Sequence, residues 1–136
     1  MIAASPGTVR GQCLCGAISF EITGPLREVV VCHCGQCQHN HGGPAHYTSA
    51  QWADIEVDGR DWLRWYQSSP QARRGFCAEC GSSLFWEQIG QGRVSINAGA
   101  LDPPTGLRTA KHIFVADKPD WYQIRDGLPQ LPGTSG

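Results

Sequence analysis

Seven cysteines carry most of the chemistry available to this chain. They fall into three groups: Cys13-Leu-Cys15-Gly16, Cys32-His-Cys34-Gly-Gln-Cys37 and Cys77-Ala-Glu-Cys80-Gly81. Thiolates are soft metal ligands, and closely paired cysteines are a strong metal signal. Read as a strand, Cys13 and Cys15 point to one face and aim both sulfurs at one ion. Cys77 and Cys80 have the spacing of a zinc-binding turn, and Gly81 permits the positive φ such a turn often needs. The two pairs together make a closed Cys₄ structural zinc site. Its halves lie about sixty residues apart, so the metal closes a long loop and its binding is coupled to folding.

Cys32, Cys34 and Cys37 remain. Three thiolates from one short segment leave a tetrahedral ion one free position, the arrangement of a catalytic rather than a structural zinc. The alternative is a Cys₃His structural site with His33, His39, His41 or His46 as fourth ligand. His33 is the poorest of these, because an extended segment turns it away from its two neighbours. Iron is the competing metal, but the CxC spacing and the leftover trio suit it less well. A redox role for Cys77 and Cys80 lacks the alternating β-α context of such motifs.

Other polar residues gather near the trio. His39, His41 and His46 follow it closely and titrate near neutral pH, so each is a candidate for moving a proton, or a surface histidine. Asn40-His-Gly-Gly-Pro44 reads as a loop or as a lip beside the metal. Trp62, Trp65, Trp86 and Trp121 read as core or rim packing rather than a substrate cage. Arg73 and Arg74 read as a solvated strand face rather than as an attraction for a carboxylated substrate.

The elements that position these groups are mainly strands. Ile18, Phe20 and Ile22 alternate with small or polar neighbours over Ala17–Ile22, and Trp62–Tyr66 alternates likewise. Val29–Val31 is β-branched and leads into the trio. Ala45–Ser49, Ser83–Trp86, Arg93–Asn97 and His112–Val115 complete the set. Helical signals are confined to a turn or two at Gly35–Asn40 and Gln51–Asp54. With 17 glycines and 9 prolines as punctuation, the pattern predicts a mainly-β domain of packed sheets with short helical turns. A chain of 136 residues is the size of one domain. It is expected to occupy 9–128, with loose ends at 1–8 and 129–136.

Composition narrows the partners. The formal charge is −1 and Arg73-Arg74 is the one basic cluster, so a nucleic-acid footprint is not expected. No segment approaches the ~18 apolar residues of a membrane span. The N-terminus lacks a signal-peptide pattern, which places the protein in the cytoplasm, where thiols stay reduced.

The sequence resembles the glutathione-dependent formaldehyde-activating enzyme family, also called the GFA or CENP-V/GFA domain. The matching stretches are Gly11–Gly16, Cys32–Cys37, Ser68–Ser83, Ala98–Asp102, and His112–Val115 with Asp117–Trp121, in the family's order over about residues 10–130. The resemblance implies an Mss4-like mainly-β fold. It implies a structural zinc on Cys13, Cys15, Cys77 and Cys80 and a catalytic zinc on Cys32, Cys34 and Cys37, two ions per chain. It implies carbon–sulfur lyase chemistry that joins formaldehyde to glutathione as S-hydroxymethylglutathione, or reverses that step. Asn97 and Asp102 lie in or beside a family-like stretch without an assigned role. Relatives often carry a basic residue after the third trio cysteine; here it is Gln38. The partners expected are therefore a small-molecule thiol and an aldehyde, with a non-catalytic zinc interaction module or a thiolate-based metal or redox sensor as alternatives.

Overall fold

The computed structural model describes residues 7–134. Its strands are β1 (Thr8–Gln12), β2 (Ser19–Thr23), β3 (Val29–Cys32), β4 (Ala45–Gln51), β5 (Ile55–Asp58), β6 (Leu63–Ser69), β7 (Ala72–Cys77), β8 (Ser83–Gln88), β9 (Arg93–Asn97) and β10 (Thr109–Ile113). One α-helix, α1 (Gly35–His41), joins β3 to β4, and short 3₁₀ turns fill several connections. The mainly-β expectation holds. A small sheet has the order β1-β2-β5, and a seven-stranded sheet the order β10-β3-β4-β9-β8-β7-β6. Every pairing is antiparallel except β10 with β3.

The core lies between the two sheets. Ile18, Phe20 and Ile22 from the β2 region and Ile55 from β5 meet Ala50, Leu84, Phe85, Val94 and Ile96 of the large sheet. Phe20 and Phe85 sit with ring centroids 5.2 Å apart. Side chains alternate across a strand, so the residues next to these point to the far face of the large sheet. That face carries Val30, Tyr47, Arg74, Trp86 and Ser95, and the second, smaller cluster of buried side chains forms there around Cys32, Cys37, Ala45 and Tyr47.

Gly59 fixes one end of the small sheet. Its φ is +82°, and a Cβ there would fall 1.9 Å from the Ala17 carbonyl oxygen. Backbone cannot yield as a side chain can, and the left-handed conformation penalises any L side chain by ~1–2 kcal/mol. Gly59→Ala is therefore expected to lower stability by about 2 kcal/mol or more, read as a drop of at least ~5 °C in the thermal midpoint.

Two strands, β1 and β5, were not anticipated, and β7 was anticipated only as a strand face at Arg73 and Arg74. The ends also differ from expectation. Residues 1–6 lie outside the described residues, while Thr8 already pairs with Thr23. The stretch after 128, expected as a loose tail, runs beside β10: His112 donates to the Pro129 carbonyl, Leu131 donates to the His112 carbonyl, and Val115 donates to the Leu131 carbonyl. No helix among the described residues is long and apolar enough to cross a membrane.

Candidate metal centres and the adjoining cavity

The structure brings the cysteines together in the two groups that their spacing defined. Cys13, Cys15, Cys77 and Cys80 form one cluster and Cys32, Cys34 and Cys37 the other, with sulfurs within 4.8 Å of one another in each. In the first, the Cys13 and Cys15 sulfurs are 3.6 Å apart and those of Cys15 and Cys77 are 3.8 Å apart. A tetrahedron with Zn–S bonds of ~2.3 Å has edges of ~3.8 Å, so this donor set fits a zinc ion.

The local structure differs from the strand assumed for Cys13 and Cys15. Both lie in the tight turn after β1, where Gly16 donates to the Cys13 carbonyl at 3.1 Å. The sulfurs converge because the chain reverses, not because of strand alternation. Ile18 N–H points at the Cys13 sulfur at 3.3 Å. Cys77 ends β7, and Gly81 closes a turn onto its carbonyl at 2.8 Å. A bond from Leu14 N–H to the Ser82 hydroxyl, 3.0 Å, ties the two turns directly. The hydroxyl of Ser82 lies 3.1 Å from the Cys80 sulfur. That bond, the backbone bonds of Ser82 and Cys15, and the nearby Cys15 thiol hold Cys80 down to about 5, favouring the thiolate a metal requires.

The trio is built differently. Cys32 ends β3, Cys34 is the N-cap of α1 and Cys37 lies in its first turn. The Cys34 sulfur accepts from Cys37 N–H at 3.3 Å, so capping and ligand placement share one atom. Hydrogen bonds from Cys32 and then Cys37 hold Cys34 down to about 2, while the hydrogen bond with Cys34 pushes the Cys32 thiol above its usual range. Three thiols this close cannot all ionise without a cation among them, which is the condition that a soft divalent metal satisfies.

Among the described residues no histidine nitrogen or carboxylate joins the trio. His33 is wholly buried and turns away: its Nε2 lies 2.8 Å from His112 Nδ1, and His112 Nε2 lies 2.8 Å from Asp126 Oδ2. His39 Nδ1 is 2.9 Å from the Gly35 carbonyl oxygen. His46 is exposed on β4 and borders a separate, open polar cleft. Gln38 donates to the carbonyls of His33 and Asp117 at 2.8 and 2.7 Å. It fastens the helix to the end of β10 rather than facing a ligand.

Arg74 corrects an expectation. It was read as part of a solvated face, yet it is only 6% exposed. β7 lies inside the large sheet, and the Arg74 guanidinium reaches across the trio's floor. It approaches the Cys37 sulfur at 3.7 Å, Gln36 Oε1 at 3.3 Å and the Tyr47 hydroxyl at 3.3 Å. Three thiolates around a divalent ion leave one net negative charge, and Arg74 is placed to balance it. Arg73 does behave as a surface group: it stacks over Trp65 and pairs with Glu87. Arg74→Gln is expected to weaken metal retention at the trio by ~10–100-fold. In a chelator titration, one ion per chain would leave much earlier than in the parent protein, while the four-cysteine ion stays.

The trio opens into a cavity of about 420 Å³, lined in part by Val30, Tyr47, Ala72, Trp86, Ile113 and Phe114. Trp86, read as packing, is thus a cavity wall; Trp65 packs on Phe85 as expected, and Trp62 and Trp121 are exposed. Tyr47 had not been singled out. Its hydroxyl lies 3.1 Å from His41 Nε2, which also receives Asn40 Nδ2 at 3.2 Å. Nε2 is therefore the acceptor, and the Tyr47 O–H donates to it. Burial pushes the Tyr47 phenol above its usual range and His41 below its own. Asn97 and Asp102 stand elsewhere, on an open polar cleft of about 690 Å³ that His41 and Cys13 also border.

The sequence profile of the family described as glutathione-dependent formaldehyde-activating enzyme matches residues 8–117, most of the chain and every cysteine. The chain belongs to the glutathione-dependent formaldehyde-activating enzyme family. A Schizosaccharomyces pombe protein described as "Uncharacterized lyase C29B12.13" is 28% identical over 115 residues, covering 84% of this chain and 83% of that one. The crystal structure of a Rhodobacter sphaeroides protein superposes with a TM-score of 0.58 at 21% identity, over 90% of this chain and 98% of the other, a likeness of fold. Membership in the formaldehyde-activating family and the lyase-named relative support a lyase-like role, with two cysteine clusters that can hold metal ions.

Proposed function

We propose that the protein is a zinc-dependent carbon–sulfur lyase that makes or breaks a thiol–aldehyde adduct of the S-hydroxymethylglutathione type, in the cytoplasm. In this reading Cys13, Cys15, Cys77 and Cys80 hold a structural zinc, and Cys32, Cys34 and Cys37 hold the catalytic one. The observation that carries it is the trio itself: three cysteines with no fourth protein ligand among the described residues, at the wall of a ligand-sized cavity.

When bound, zinc held by the three thiolates supplies an open position that favours a substrate thiolate over its thiol. The surrounding residues do the rest. Val30, Trp86 and Ile113 shield the reacting atoms from water. Arg74 offsets the thiolate charge and donates to the Tyr47 oxygen. In the bond-forming direction the substrate sulfur attacks the aldehyde carbon, the carbon–sulfur bond forms, and the carbonyl electron pair moves onto oxygen. Tyr47 gives that oxygen its proton at Oη. The proton released by the thiol restores the Tyr47 phenol, so no net acid is consumed, and His41 Nε2 orients that hydroxyl. The cleavage direction runs the same transfers backwards.

Exchange between formaldehyde, a thiol and their adduct, followed by magnetisation-transfer NMR, tests the proposal. The two-zinc protein is expected to accelerate it above the protein-free rate for at least one member of a thiol panel. Rates equal to the protein-free rate for the whole panel would end the lyase reading. Tyr47→Phe is expected to slow exchange by ~100-fold, the usual worth of a positioned proton donor, while thiol binding persists.

A further inference from the structure

We propose that the cavity beside Cys32, Cys34 and Cys37 accepts a thiol with an apolar body, a carboxylate remote from the sulfur and no ammonium group. This rests on the reading of that cavity as the thiol site, and it departs from glutathione, which carries an ammonium group and two peptide units.

Strand register sets the order of groups along the cavity. Cys32 is level with Ile113 on one side and Ala45 on the other. Two residues back, Val30 is level with Lys111 and Tyr47. Two residues of strand span ~6.6 Å, so Lys111 stands one row from the metal end. Arg27 precedes β3, and its guanidinium donates to the Tyr47 carbonyl at 3.0 Å. Its backbone is thus five residues from Cys32, up to ~16 Å of extended chain. The Arg27 guanidinium, bonded in the Tyr47 row, and Lys111 in the same row thus stand about one strand row, ~6.6 Å, from the sulfur end of the cavity.

The walls are mainly apolar (Val30, Ala72, Trp86, Ile113 and Phe114), with the hydroxyls of Ser69 and Ser95 set among them. Two peptide units laid along such walls would have few partners to replace their bonds to water. The charge balance is as selective. The terminal nitrogens of Arg74 are already engaged by Cys37, Gln36 and Tyr47, while its buried Nε has no partner among the described residues. Among the described residues neither Lys111 nor Arg27 forms an ion pair, and no aspartate or glutamate lines the cavity. A ligand carboxylate finds partners there. A ligand ammonium finds only like charge, and a specific site rejects such a group through the unpaired charge it would bury.

Calorimetry on the full chain with both zinc ions bound tests this with three probes: 6-mercaptohexanoate, 1-hexanethiol and glutathione. The first is expected to bind at least ~10-fold more tightly than either of the others, the worth of one charge-assisted contact. Lys111→Gln, and separately Arg27→Gln, should each reduce the affinity ratio of 6-mercaptohexanoate to 1-hexanethiol, by up to about tenfold. Quenching of Trp86 emission on binding should follow the same order. Glutathione binding as tightly as 6-mercaptohexanoate, or a ratio unchanged in both variants, overturns the inference. The exchange assay separates it from the lyase reading. Selective tight binding of 6-mercaptohexanoate with exchange at the protein-free rate removes the reaction and keeps the ligand class. Faster exchange with glutathione, together with equal or tighter glutathione binding, keeps the reaction and removes the ligand class.

Discussion

Cys80→Ser is expected to yield a chain that fails to reach the native fold at ordinary temperature and holds at most one metal ion. The reason lies in what the four-cysteine cluster connects. Its sulfurs come from the turn after β1 and from the turn between β7 and β8, and Cys15 and Cys77 are 62 residues apart in sequence. The first turn belongs to the small sheet and the second to the large one. Without metal, the apolar contacts of Ile18, Phe20 and Ile22 and one bond from Leu14 to Ser82 must hold the sheets together at that edge. A structural zinc contributes ~10–16 kcal/mol of apparent binding free energy in small domains, against a total stability of ~5–15 kcal/mol for a typical protein. Serine is a poor ligand for a soft ion, and the three cysteines left behind include wholly buried Cys77. Circular dichroism and metal analysis check the result. Excess chelator should produce the same collapse in the parent chain. A variant that melts cooperatively within a few degrees of the parent would show that sheet packing alone maintains this edge.

The cysteine partition was legible because ligand spacing is a local property: a pair two or three residues apart converges on one point whatever surrounds it. The reason assigned to Cys13 and Cys15 was nevertheless wrong in detail, since a turn brings them together where a strand was assumed. Strands with clean alternation or β-branched runs, such as Val29–Val31 and Arg93–Asn97, were also readable. The extent of β7 was not. Ala-Arg-Arg-Gly-Phe carries no alternating apolar signal, and Arg74 is buried only because Cys37, Gln36 and Tyr47 supply it with acceptors from α1 and β4. Those partners are brought close by tertiary pairing, which no window along the chain can register. β1 and β5 are short and half polar, and they are strands because β2 lies between them. The cavity was the least accessible feature of all. Its walls come from β3, β4, α1, β6, β7, β8, β9 and β10, so Trp86 and Tyr47 acquire a role only once the seven-stranded order is known.

Cys34→Ser separates chemistry from folding, and its expected result is the opposite of the Cys80 case: a folded protein without lyase activity. Cys34 does two jobs. Its sulfur is one of three donors in the trio, and it caps α1 by accepting from Cys37 N–H. Serine is among the best N-cap residues, so the hydroxyl can take over the second job, and stability should change by less than ~1 kcal/mol through the cap. It cannot take over the first. Two thiolates and a hydroxyl form a much weaker set for a soft metal, and among the described residues the site has no fourth protein ligand to compensate. The trio also sits outside the main core, in the smaller cluster with Ala45 and Tyr47, so losing its ion does not separate the two sheets. The variant should therefore retain one tightly held zinc, melt close to the parent, and show formaldehyde–thiol exchange at the protein-free rate. Exchange at parental speed would place the reaction somewhere other than the trio. Unfolding as complete as that of Cys80→Ser would mean that both metals are structural, and the division between a closed site and an open one would be lost.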